Sequence, residues 1–389
     1  MRVLYFFPLN VARRNAGNIT RALSLLRYFK SRGIAVDYVS SNHDWGEVIN
    51  EDQIKILREQ GLIDHHYGIS KRPPASRLFA YLRVLLPELF LRKLLKIGAY
   101  TIPDFGKYYP RRQFSGILKT RHYDAIIISY TAWANLIKGN KQVSRSKLIL
   151  DTHDLLTAQQ RHKRRFSLGA SIADEVKRMN LFDEVWAIST DEQYLFGLFC
   201  KPPVKLIPVC FEATAERNGP KDTDILYVAS DNPHNVAAAK WFFGKVYPLL
   251  PSGLMFTVVG TVSGFVPDRP NITKISHAEE LSIYYRKSRI VVCPMLSGTG
   301  VKVKVVEALS YGLPVVCTPK GVDGLINKRE NGCLVAETAD EFAEHVKRLI
   351  EDESLYRQLC TSAIAFFGKY YSRDTVYRLL DKSFGIERQ

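Results

Sequence analysis

The chain has 389 residues, more than the roughly 250–300 at which a single hydrophobic core usually divides, so we expect two domains. Hydrophobic residues make up 46% and charged residues 24%, which excludes disordered, collagen-like and disulfide-scaffold proteins. The net charge of +16 is unevenly distributed, since residues 1–205 hold 33 Lys and Arg against 18 Asp and Glu. A basic first half is typical of proteins with an anionic partner.

Short β-branched or aromatic runs alternate with amphipathic segments of helical length, which predicts parallel sheets with helical crossovers. The strands predicted in the first half are Val3–Phe7, Val36–Ser40, Ala125–Ser129, Leu148–Leu150, Val185–Ile188 and Lys205–Ile207. Those in the second half are Ile225–Val228, Phe256–Val259, Ile272–Ile275, Ile290–Cys293, Val315–Cys317 and Leu334–Val335. The predicted helices include Ile19–Ser31, Val236–Val246, Ala278–Lys287, Val301–Tyr311, Ala339–Ile350 and Tyr371–Phe384. The fold class is therefore α/β, with doubly wound parallel sheets.

The strand–helix pattern restarts once, after the polar stretch Glu212–Thr223. We therefore predict a first domain at 1–212, a linker at 213–223 and a second domain at 224–370. Residues 371–389 would form a last helix that crosses back to the first domain. Two doubly wound domains that face each other leave a cleft lined by the carboxyl ends of both sheets, where ligands bind.

Cysteine spacing and hydropathy predict the compartment. The six cysteines show no metal-site spacing, and four lie in or beside apolar stretches, so we expect reduced, buried thiols. The N-terminus enters the first predicted strand without the features of a signal peptide. No window approaches the roughly 18 apolar residues of a transmembrane helix. These features predict a cytoplasmic protein.

Residues 77–100 are apolar and basic together, within a basic and apolar insertion near 77–115. Pro87 would divide them into two short helices. Two interpretations stay open: helices packed on their own domain, or an interfacial helix in contact with an anionic membrane. Basic clusters at Arg111-Arg112 and Arg161–Arg165 also favour an anionic surface, although each is a weak signal.

The segment Cys293–Val316 carries the most specific pattern of the chain. A predicted strand is followed by a loop that contains Gly298 and Gly300, and the next helix carries Lys302 and Glu307. Glycines let the backbone approach a phosphate, a helix N-terminus offers free N–H groups, and a lysine adds positive charge. A carboxylate further along can accept hydrogen bonds from both ribose hydroxyls. The pattern indicates a nucleotide site, with a structural turn as the alternative.

Gly298–Val316 and the following Thr318–Gly324 closely resemble the donor-binding signature of GT-B glycosyltransferases of family 4. Val228–Phe243 resembles the strand, loop and helix that open the second domain of that family, and Asn331–Val335 resembles a later turn and strand. The resemblance covers most of 224–370. In the first half it is looser and rests on Asn15-Ala-Gly17, Asp151-Thr-His-Asp154 and Glu184–Ser189.

The resemblance implies a GT-B fold, with two Rossmann-like domains that face each other across a cleft. It implies sugar transfer from a nucleotide diphosphate sugar to a hydroxyl, with retention at the anomeric carbon and no metal ion or other cofactor. Glu307 would hold the ribose, and His277 resembles the segment that contacts the base. The residues that would hold the diphosphate are Gly298, Thr299, Gly300, Val301 and Lys302.

His153, just after the strand Leu148–Leu150, would lie at the reacting centre by the same resemblance. Asp154 could accept a proton from the acceptor hydroxyl or orient His153, although in retaining enzymes of this fold the leaving phosphate can take that proton. A structural pair at the end of a strand is the alternative. Asn15 and Gly17 would approach the acceptor or donor, unless their loop is a plain turn.

The sequence departs from the family's pattern at the donor site. Many relatives carry two glutamates eight positions apart, and Thr299 stands in the first of these positions, which leaves the identity of the sugar open. Asp231–Asn235 stands where many relatives have an Arg and a Lys, so Lys302 would bear more of the phosphate charge. Asp222-Thr-Asp224 has the letters of the DxD metal site of GT-A transferases, but it precedes a strand, so we assign no metal to it.

The predicted function is a hexosyl-type glycosyltransferase in the synthesis of cell-surface polysaccharide or glycolipid, with a peripheral position on the cytoplasmic face of the membrane. The basic first half favours a saccharide acceptor linked to an anionic lipid such as a polyprenyl diphosphate, or contact with anionic lipid heads. A nucleotide-sugar 2-epimerase of the same fold is the alternative enzyme class. A nucleic-acid-binding protein is a remote alternative, because no RNA or DNA motif is present and Gly298–Glu307 would be unexplained.

Overall fold

The computed structural model describes residues 1–13, 17–42, 48–72, 101–161, 163–164, 166–214 and 221–386. They form two compact units, Met1–Ile207 and Pro208–Gln389. The described residues of the predicted linker, 213–214 and 221–223, fall within the range of the second unit. That the last helix crosses to the first domain stays a prediction.

The described part of the first unit contains a parallel sheet of seven strands in the order β3-β2-β1-β4-β5-β6-β7. The order reverses between β1 and β4, which makes the carboxyl ends of these two strands the topological switch point. Central strands such as β4 are buried along their whole length, which explains their unbroken apolar sequence. The strands are β1 (Arg2–Phe6), β2 (Ala35–Ser41), β3 (His65–Ile69), β4 (Ala125–Ser129), β5 (Lys147–Asp151), β6 (Glu184–Ala187) and β7 (Val204–Leu206).

Helices connect these strands, and several begin at a side chain that caps the first turn. Asn50 forms a capping box with Gln53 at the start of α2, and Ser167 and Ser189 cap α5 and α6. Such caps satisfy N–H groups that have no partner within the helix. The helices are α1 (Gly17–Ser31), α2 (Glu51–Glu59), α3 (Tyr108–Leu118), α4 (Leu156–Gln160), α5 (Leu168–Met179) and α6 (Thr190–Phe199).

The second unit contains a parallel sheet in the order β10-β9-β8-β11-β12-β13. Its order reverses between β8 and β11. Alternate residues enter two separate cores: Leu226 and Val291 belong to one, and Ile225 belongs to the other. Both faces of the sheet are therefore buried. The strands are β8 (Thr223–Val228), β9 (Phe256–Val259), β10 (Ile272–Ile275), β11 (Ser288–Cys293), β12 (Val315–Cys317) and β13 (Cys333–Val335).

The helices of the second unit cover both faces of this sheet. Val305, Val306 and Leu309 of α9 pack into one core, whereas Phe342 of α10 packs into the other. One π-helical turn, Phe242–Val246, extends α7. The helices are α7 (Pro233–Trp241), α8 (Ser282–Lys287), α9 (Val303–Ser310), α10 (Ala339–Glu351), α11 (Glu353–Tyr370) and α12 (Arg373–Phe384).

The predicted α/β fold class is confirmed, and each predicted strand is present within two residues at either end. One strand, β3, was missed. Three predicted helices begin later than expected: Ala278–Lys287 begins only at Ser282, Val301–Tyr311 at Val303 and Tyr371–Phe384 at Arg373. Residues 77–100 and Asn15 lie outside the described residues.

Two further expectations concern the thiols and the membrane. All six cysteines are free. Cys210, Cys293 and Cys317 are buried as expected, whereas the other three are half-buried. Within the described ranges, no helix combines the length and the apolar character needed to cross a bilayer.

Candidate functional site

The glycine loop Ser297–Lys302 follows β11, beside the point where the strand order of the second sheet reverses. Gly298 and Gly300 have φ values of 102° and 73°, which are accessible to glycine at little cost. Gly324, at φ 80°, packs on this loop so closely that a Cβ there would lie 3.0 Å from the backbone nitrogen of Val301. The turn at Gly324, which itself requires a glycine, thus holds the backbone of the glycine loop in place.

Lys302 is the residue before α9 and not part of the helix, so the predicted placement within the helix was wrong by one residue. It is only 8% exposed. Its Nζ donates to the carbonyl of Gly300 at 2.7 Å and lies 3.4 Å from that of Thr299. The ammonium is therefore held within the glycine loop, where an anion bound to the loop would meet it.

Lys304 brings a second ammonium to this region, and the sequence analysis missed it. Its Nζ donates to Oδ1 of Asn235 at 3.0 Å and lies 5.7 Å above the ring of Tyr227. Burial lowers the pKa of Lys304, and Lys302 lowers it further. The signal available in the sequence was the pair of lysines at positions 302 and 304. Lys302 directly precedes the helix and Lys304 lies in its first turn, so both are close to the glycine loop in the chain.

The N-terminus of α7 contacts the glycine loop. Nδ1 of His234 lies 2.7 Å from Oγ of Ser297. Asn232 caps the helix by accepting a hydrogen bond from the backbone of Asn235, and Asp231 accepts one from Thr261. The segment Asp231–Asn235 therefore contributes a helix N-terminus, with its partial positive charge, although it lacks an Arg or Lys.

Glu307 lies on α9 in a partly buried aromatic environment. The hydroxyl of Tyr285 donates to its Oε2 at 3.3 Å, and Tyr285 stacks on Tyr311 with centroids 4.9 Å apart. Burial raises the pKa of Glu307 to about 7, partly offset by the hydrogen bond from Tyr285. The carboxyl group is thus close to half-ionised at neutral pH.

His277 is exposed in the segment that follows the edge strand β10. It does not begin a helix, because α8 starts only at Ser282. Its contact with a nucleotide base stays a prediction.

In the first unit, His153 follows β5 and adopts φ 63°, a left-handed conformation that is uncommon for a residue with a side chain. Its side chain is buried, and the ring stacks on Tyr130 with centroids 4.3 Å apart. Nε2 lies 2.8 Å from Oδ2 of Asp151, at an angle outside that of a hydrogen bond, so the contact is electrostatic. The imidazole is fixed on two sides.

Asp151 forms a buried ion pair with Arg21, which the sequence analysis did not select. Nε and Nη2 of Arg21 donate to Oδ1 at 2.8 and 2.6 Å. Burial alone would raise the pKa of Asp151, but the charges of Arg21 and His153 outweigh it and hold the pKa well below its usual range. Asp151 therefore stays ionised and orients His153. A further hydrogen bond joins Arg21 to the carbonyl of Ile207.

Tyr130 connects this site to the start of α1. It has φ 68° at the carboxyl end of β4, and its hydroxyl accepts a hydrogen bond from Asn18 at 2.8 Å. Burial raises the pKa of Tyr130, and the charge of Asp154 raises it further. Gly17 is the first residue of α1. The start of α1 is therefore connected to His153, because Asn18 contacts Tyr130 and Tyr130 stacks on His153.

Two further carboxyl groups, Asp154 and Glu192, are close enough for the charge of Asp154 to act on Glu192. Asp154 is half-buried, and Glu192 is buried in the first turn of α6. Burial raises the pKa of Glu192 to about 8, with a further contribution from the charge of Asp154. An acid that stays protonated at neutral pH beside an ionisable one can hold or move a proton. The sequence signal for Glu192 was its place three residues after Ser189, which is typical of a helix cap.

The Asp222-Thr-Asp224 segment lies at the opposite, amino end of β8. Asp222 pairs with Lys287 at 3.1 Å, and Asp224 accepts a hydrogen bond from the backbone of Met255. Within the part of the chain that the structure describes, no group of three or more His, Cys, Asp or Glu side chains is placed to bind a metal ion.

Comparison with known proteins adds to this geometry. Residues 222–352 match the family model described as "Glycosyl transferases group 1". An "Uncharacterized 44.6 kDa protein in cps region" of Klebsiella pneumoniae is 22% identical over 192 residues, 45% of this chain and 50% of that protein. An "Uncharacterized glycosyltransferase" of Haemophilus influenzae is 29% identical over 122 residues, 30% of each chain. The match thus spans half or less of these relatives.

Solved structures resemble the chain over nearly its whole length. Anabaena Alr3699/HepE in complex with UDP has a TM-score of 0.70 at 14% identity, covering 99% of this chain and 100% of that one. The chain has the GT-B fold. Sucrose-phosphate synthase of Thermosynechococcus elongatus has a TM-score of 0.68 at 15% identity, with 99% and 98% covered. TarM has a TM-score of 0.67 at 12% identity, with the same coverage. The predicted GT-B architecture is confirmed, and residues 222–352 resemble group 1 glycosyl transferases.

Each half of this GT-B chain brings a different set of predicted residues together. The second unit gathers the glycine loop, Lys302 and the N-terminus of α7 at one switch point. The first unit places His153 and Asp154 beside the other. The roles of these residues stay predictions.

Proposed function

We propose that the chain is a retaining glycosyltransferase of the family 4 type that transfers a hexose from a nucleotide diphosphate sugar to a hydroxyl of a lipid-linked saccharide. The glycine loop carries this proposal, because it combines two left-handed glycines, two lysines and a helix N-terminus within a group 1 glycosyl transferase domain. UDP is the favoured nucleotide, since HepE was solved with UDP and with UDP-glucose.

Departure of the diphosphate is the step that the second unit would assist. Negative charge develops on the leaving phosphate as the anomeric C–O bond breaks, and fixed dipoles and cations aimed at that charge give the largest catalytic effect. The backbone of the glycine loop would bind the phosphates, and Lys302 and Lys304 would supply two positive charges. Glu307 would accept hydrogen bonds from the ribose. These two lysines would take the part that a metal ion has elsewhere, so we expect no metal requirement.

The first unit would bind the acceptor and hold the reacting centre. The acceptor hydroxyl forms the new bond to the anomeric carbon on the face that the diphosphate leaves. His153, fixed by Asp151 and Tyr130, would contact the sugar or its phosphate. The hydroxyl proton would pass to the leaving phosphate or to Asp154. Asn15 and Gly17 would line the approach to this centre.

An anionic lipid-linked acceptor is favoured by charge. The excess of Lys and Arg lies almost wholly in residues 1–205, and a field of this sign attracts phosphate groups and anionic membrane surfaces. We therefore propose a peripheral position on the cytoplasmic face of a membrane, in the synthesis of cell-surface polysaccharide or glycolipid.

A thermal-shift screen against UDP, GDP, dTDP and CMP and their common sugar conjugates tests the donor site. A ligand at 100 times its Kd stabilises the protein by about 2.7 kcal/mol, which is visible as a shift in melting temperature. We expect one nucleotide class to shift the melting temperature of the wild type and of Lys287→Ala, a surface lysine that pairs with Asp222 at the amino end of β8, and to lose the shift in Lys302→Ala. A wild type that binds no nucleotide would overturn the proposal.

Incubation of that nucleotide sugar with lipid-linked saccharides tests the reaction. We expect a new glycoside whose anomeric configuration, read by proton NMR, matches that of the donor. The inverted configuration would exclude retention. Release of the nucleotide and a free epimerised sugar without any glycoside would favour the 2-epimerase alternative.

A further inference from the structure

An apolar groove lies on the surface of the first unit, between α4, α5 and α6. It encloses about 490 Å³, within the range of cavities that hold small molecules. The apolar side chains that line it are Leu155, Phe166, Leu168, Ile172, Leu195 and Phe199.

Exposed apolar side chains occur in the lining of the groove and beside it on α6. Leu168 and Phe199 are 65% and 56% exposed. On α6 the exposed residues Tyr194 and Leu198 stand one turn apart, as do Leu195 and Phe199 in the groove itself. Contiguous apolar surface of this kind on a folded protein marks a binding site.

A buried carboxyl group holds together two of the helices that form the groove. Glu175 of α5 accepts hydrogen bonds from the backbone nitrogens of Leu156 and Thr157, at 2.9 and 2.8 Å. These two N–H groups begin α4, so the carboxylate ties α4 to α5. The groove is therefore preformed, which lowers the entropic cost of binding.

Positive charge is present at the groove. Arg161 is part of its lining, and Lys163 and Arg164, both exposed, follow it closely along the chain. An apolar groove with cations beside it is complementary to an anionic amphiphile. Leu155, which also lines the groove, directly follows Asp154 and stands two residues after His153, so the lining adjoins the candidate reacting centre in the chain.

We propose that this groove binds the hydrocarbon chain of a phosphate-bearing lipid, with the phosphate at Arg161, Lys163 and Arg164. That this lipid is the acceptor rests on the proposed function. The binding of the lipid does not, because it follows from the shape, the apolar lining and the charge of the groove.

Calorimetric titration of the full chain with octyl phosphate and decyl phosphate, each below its micelle concentration, tests the groove. Each methylene that enters an apolar site lowers the Kd about fourfold, so decyl phosphate should bind at least tenfold more tightly than octyl phosphate. Inorganic phosphate alone should bind far more weakly than either. Equal affinities for the two alkyl phosphates would overturn the proposal.

Two charge-introducing variants and a matched control locate the site. Phe199→Asp and Leu168→Asp place a carboxylate in the groove at exposed positions, so folding should be kept. Phe265→Asp changes a phenylalanine of the second unit that is 47% exposed. We expect at least a tenfold loss of decyl phosphate affinity in the first two variants and none in the control. Unchanged affinity in Phe199→Asp and Leu168→Asp would place the lipid elsewhere.

Other occupants give different results. If a second copy of the chain fills the groove, light scattering will show a dimer that Phe199→Asp dissociates, and the lipid proposal fails. If the chain binds vesicles of phosphatidylcholine with phosphatidylglycerol but not monomeric decyl phosphate, a bilayer surface replaces the single lipid and the proposal also fails.

UDP titration separates this proposal from the proposed function. Chain-length-dependent binding of alkyl phosphates by a protein that binds no nucleotide would overturn the glycosyltransferase and keep the groove. Nucleotide binding with no preference for the longer alkyl phosphate would overturn the groove and keep the glycosyltransferase.

Discussion

Substitution of Asp151 by Asn removes the negative charge at the centre of the first unit's candidate site. Asp151 is fully buried and lies within 2.9 Å of two nitrogens of Arg21 and of Nε2 of His153. The amide oxygen of Asn can still accept the hydrogen bonds from Arg21, but it cannot balance the charge of a guanidinium that is only 1% exposed.

The expected loss is large because the substitution leaves a buried cation without its counter-ion. Removal of one partner of a buried ion pair costs about 3–5 kcal/mol, whereas an exposed pair contributes about 0–1 kcal/mol. The pair of Arg373 and Glu212, which are 50% and 69% exposed, gives the matched control. Glu212→Gln should therefore change the free energy of unfolding by less than about 1 kcal/mol.

Urea unfolding followed by tryptophan fluorescence measures the difference, since Trp133 and Trp186 are buried in the first unit. The pKa of Asp151 is lowered in the folded state, so its stabilisation is complete above the unfolded pKa of about 3.9 and is lost as the pH falls toward the folded value. The gap between wild type and Asp151→Asn should shrink below about pH 4. A loss of unfolding free energy under about 1 kcal/mol at neutral pH would refute the reasoning. So would a difference between wild type and Asp151→Asn that grows as the pH falls.

Four further predictions follow from the geometry. Lys304→Met should weaken UDP binding about tenfold, as expected for the loss of one charge-assisted hydrogen bond, without changing uridine binding; equal losses for both ligands in calorimetry would contradict a phosphate contact. Glu307→Gln should remove the pH dependence of nucleoside affinity near pH 7, where the carboxyl ionises; a wild type whose affinity is flat from pH 6 to 8 would contradict the ribose contact. The pKa of Glu192 is raised to about 8, so its ionisation destabilises the fold as the pH rises from about 4.3 toward that value. The melting temperature of Glu192→Gln should rise relative to that of the wild type as the pH increases across this range. A difference between the two melting temperatures that does not change with pH would contradict the raised pKa. Gly324→Ala should destabilise the second unit by about 1–3 kcal/mol through its φ of 80° and the close Val301 backbone, whereas Gly253→Ala, with open space at its Cβ, serves as the control.

The strands could be predicted because both faces of each sheet are covered, so that β4 and β11 contain the consecutive apolar residues Ala125–Ile128 and Ile290–Cys293. Strand β3 was not predicted, for the opposite reason. It is the edge strand of its sheet, and His65, His66 and Tyr67 are only half-buried. Polar residues on a half-exposed edge leave no apolar signal. The late start of α8 was missed because segment 278–281 is helix-compatible in composition but lies outside the helix in the structure.

The two candidate sites differ in how much of each was predictable. The glycine loop is local in sequence, and its glycines, Lys302 and Glu307 fall within ten residues. The ion pair of Arg21 and Asp151 joins residues 130 positions apart, and only the strand order of the first sheet brings them together. Lys304 is close in sequence to Lys302, but its contact with Asn235 joins two helices and could not be predicted from the sequence.

The stacked pair of Tyr130 and His153 has a consequence for how the protein can change. Both residues adopt left-handed backbone conformations, each of which costs of the order of 1–2 kcal/mol for a residue with a side chain. Glycine at either position would relieve that strain, but it would also remove a ring that packs against its partner at 4.3 Å. Truncation of a packed aromatic side chain costs about 3–5 kcal/mol, more than the strain that is relieved. A laboratory evolution experiment that rewards heat resistance alone should therefore keep a ring at positions 130 and 153.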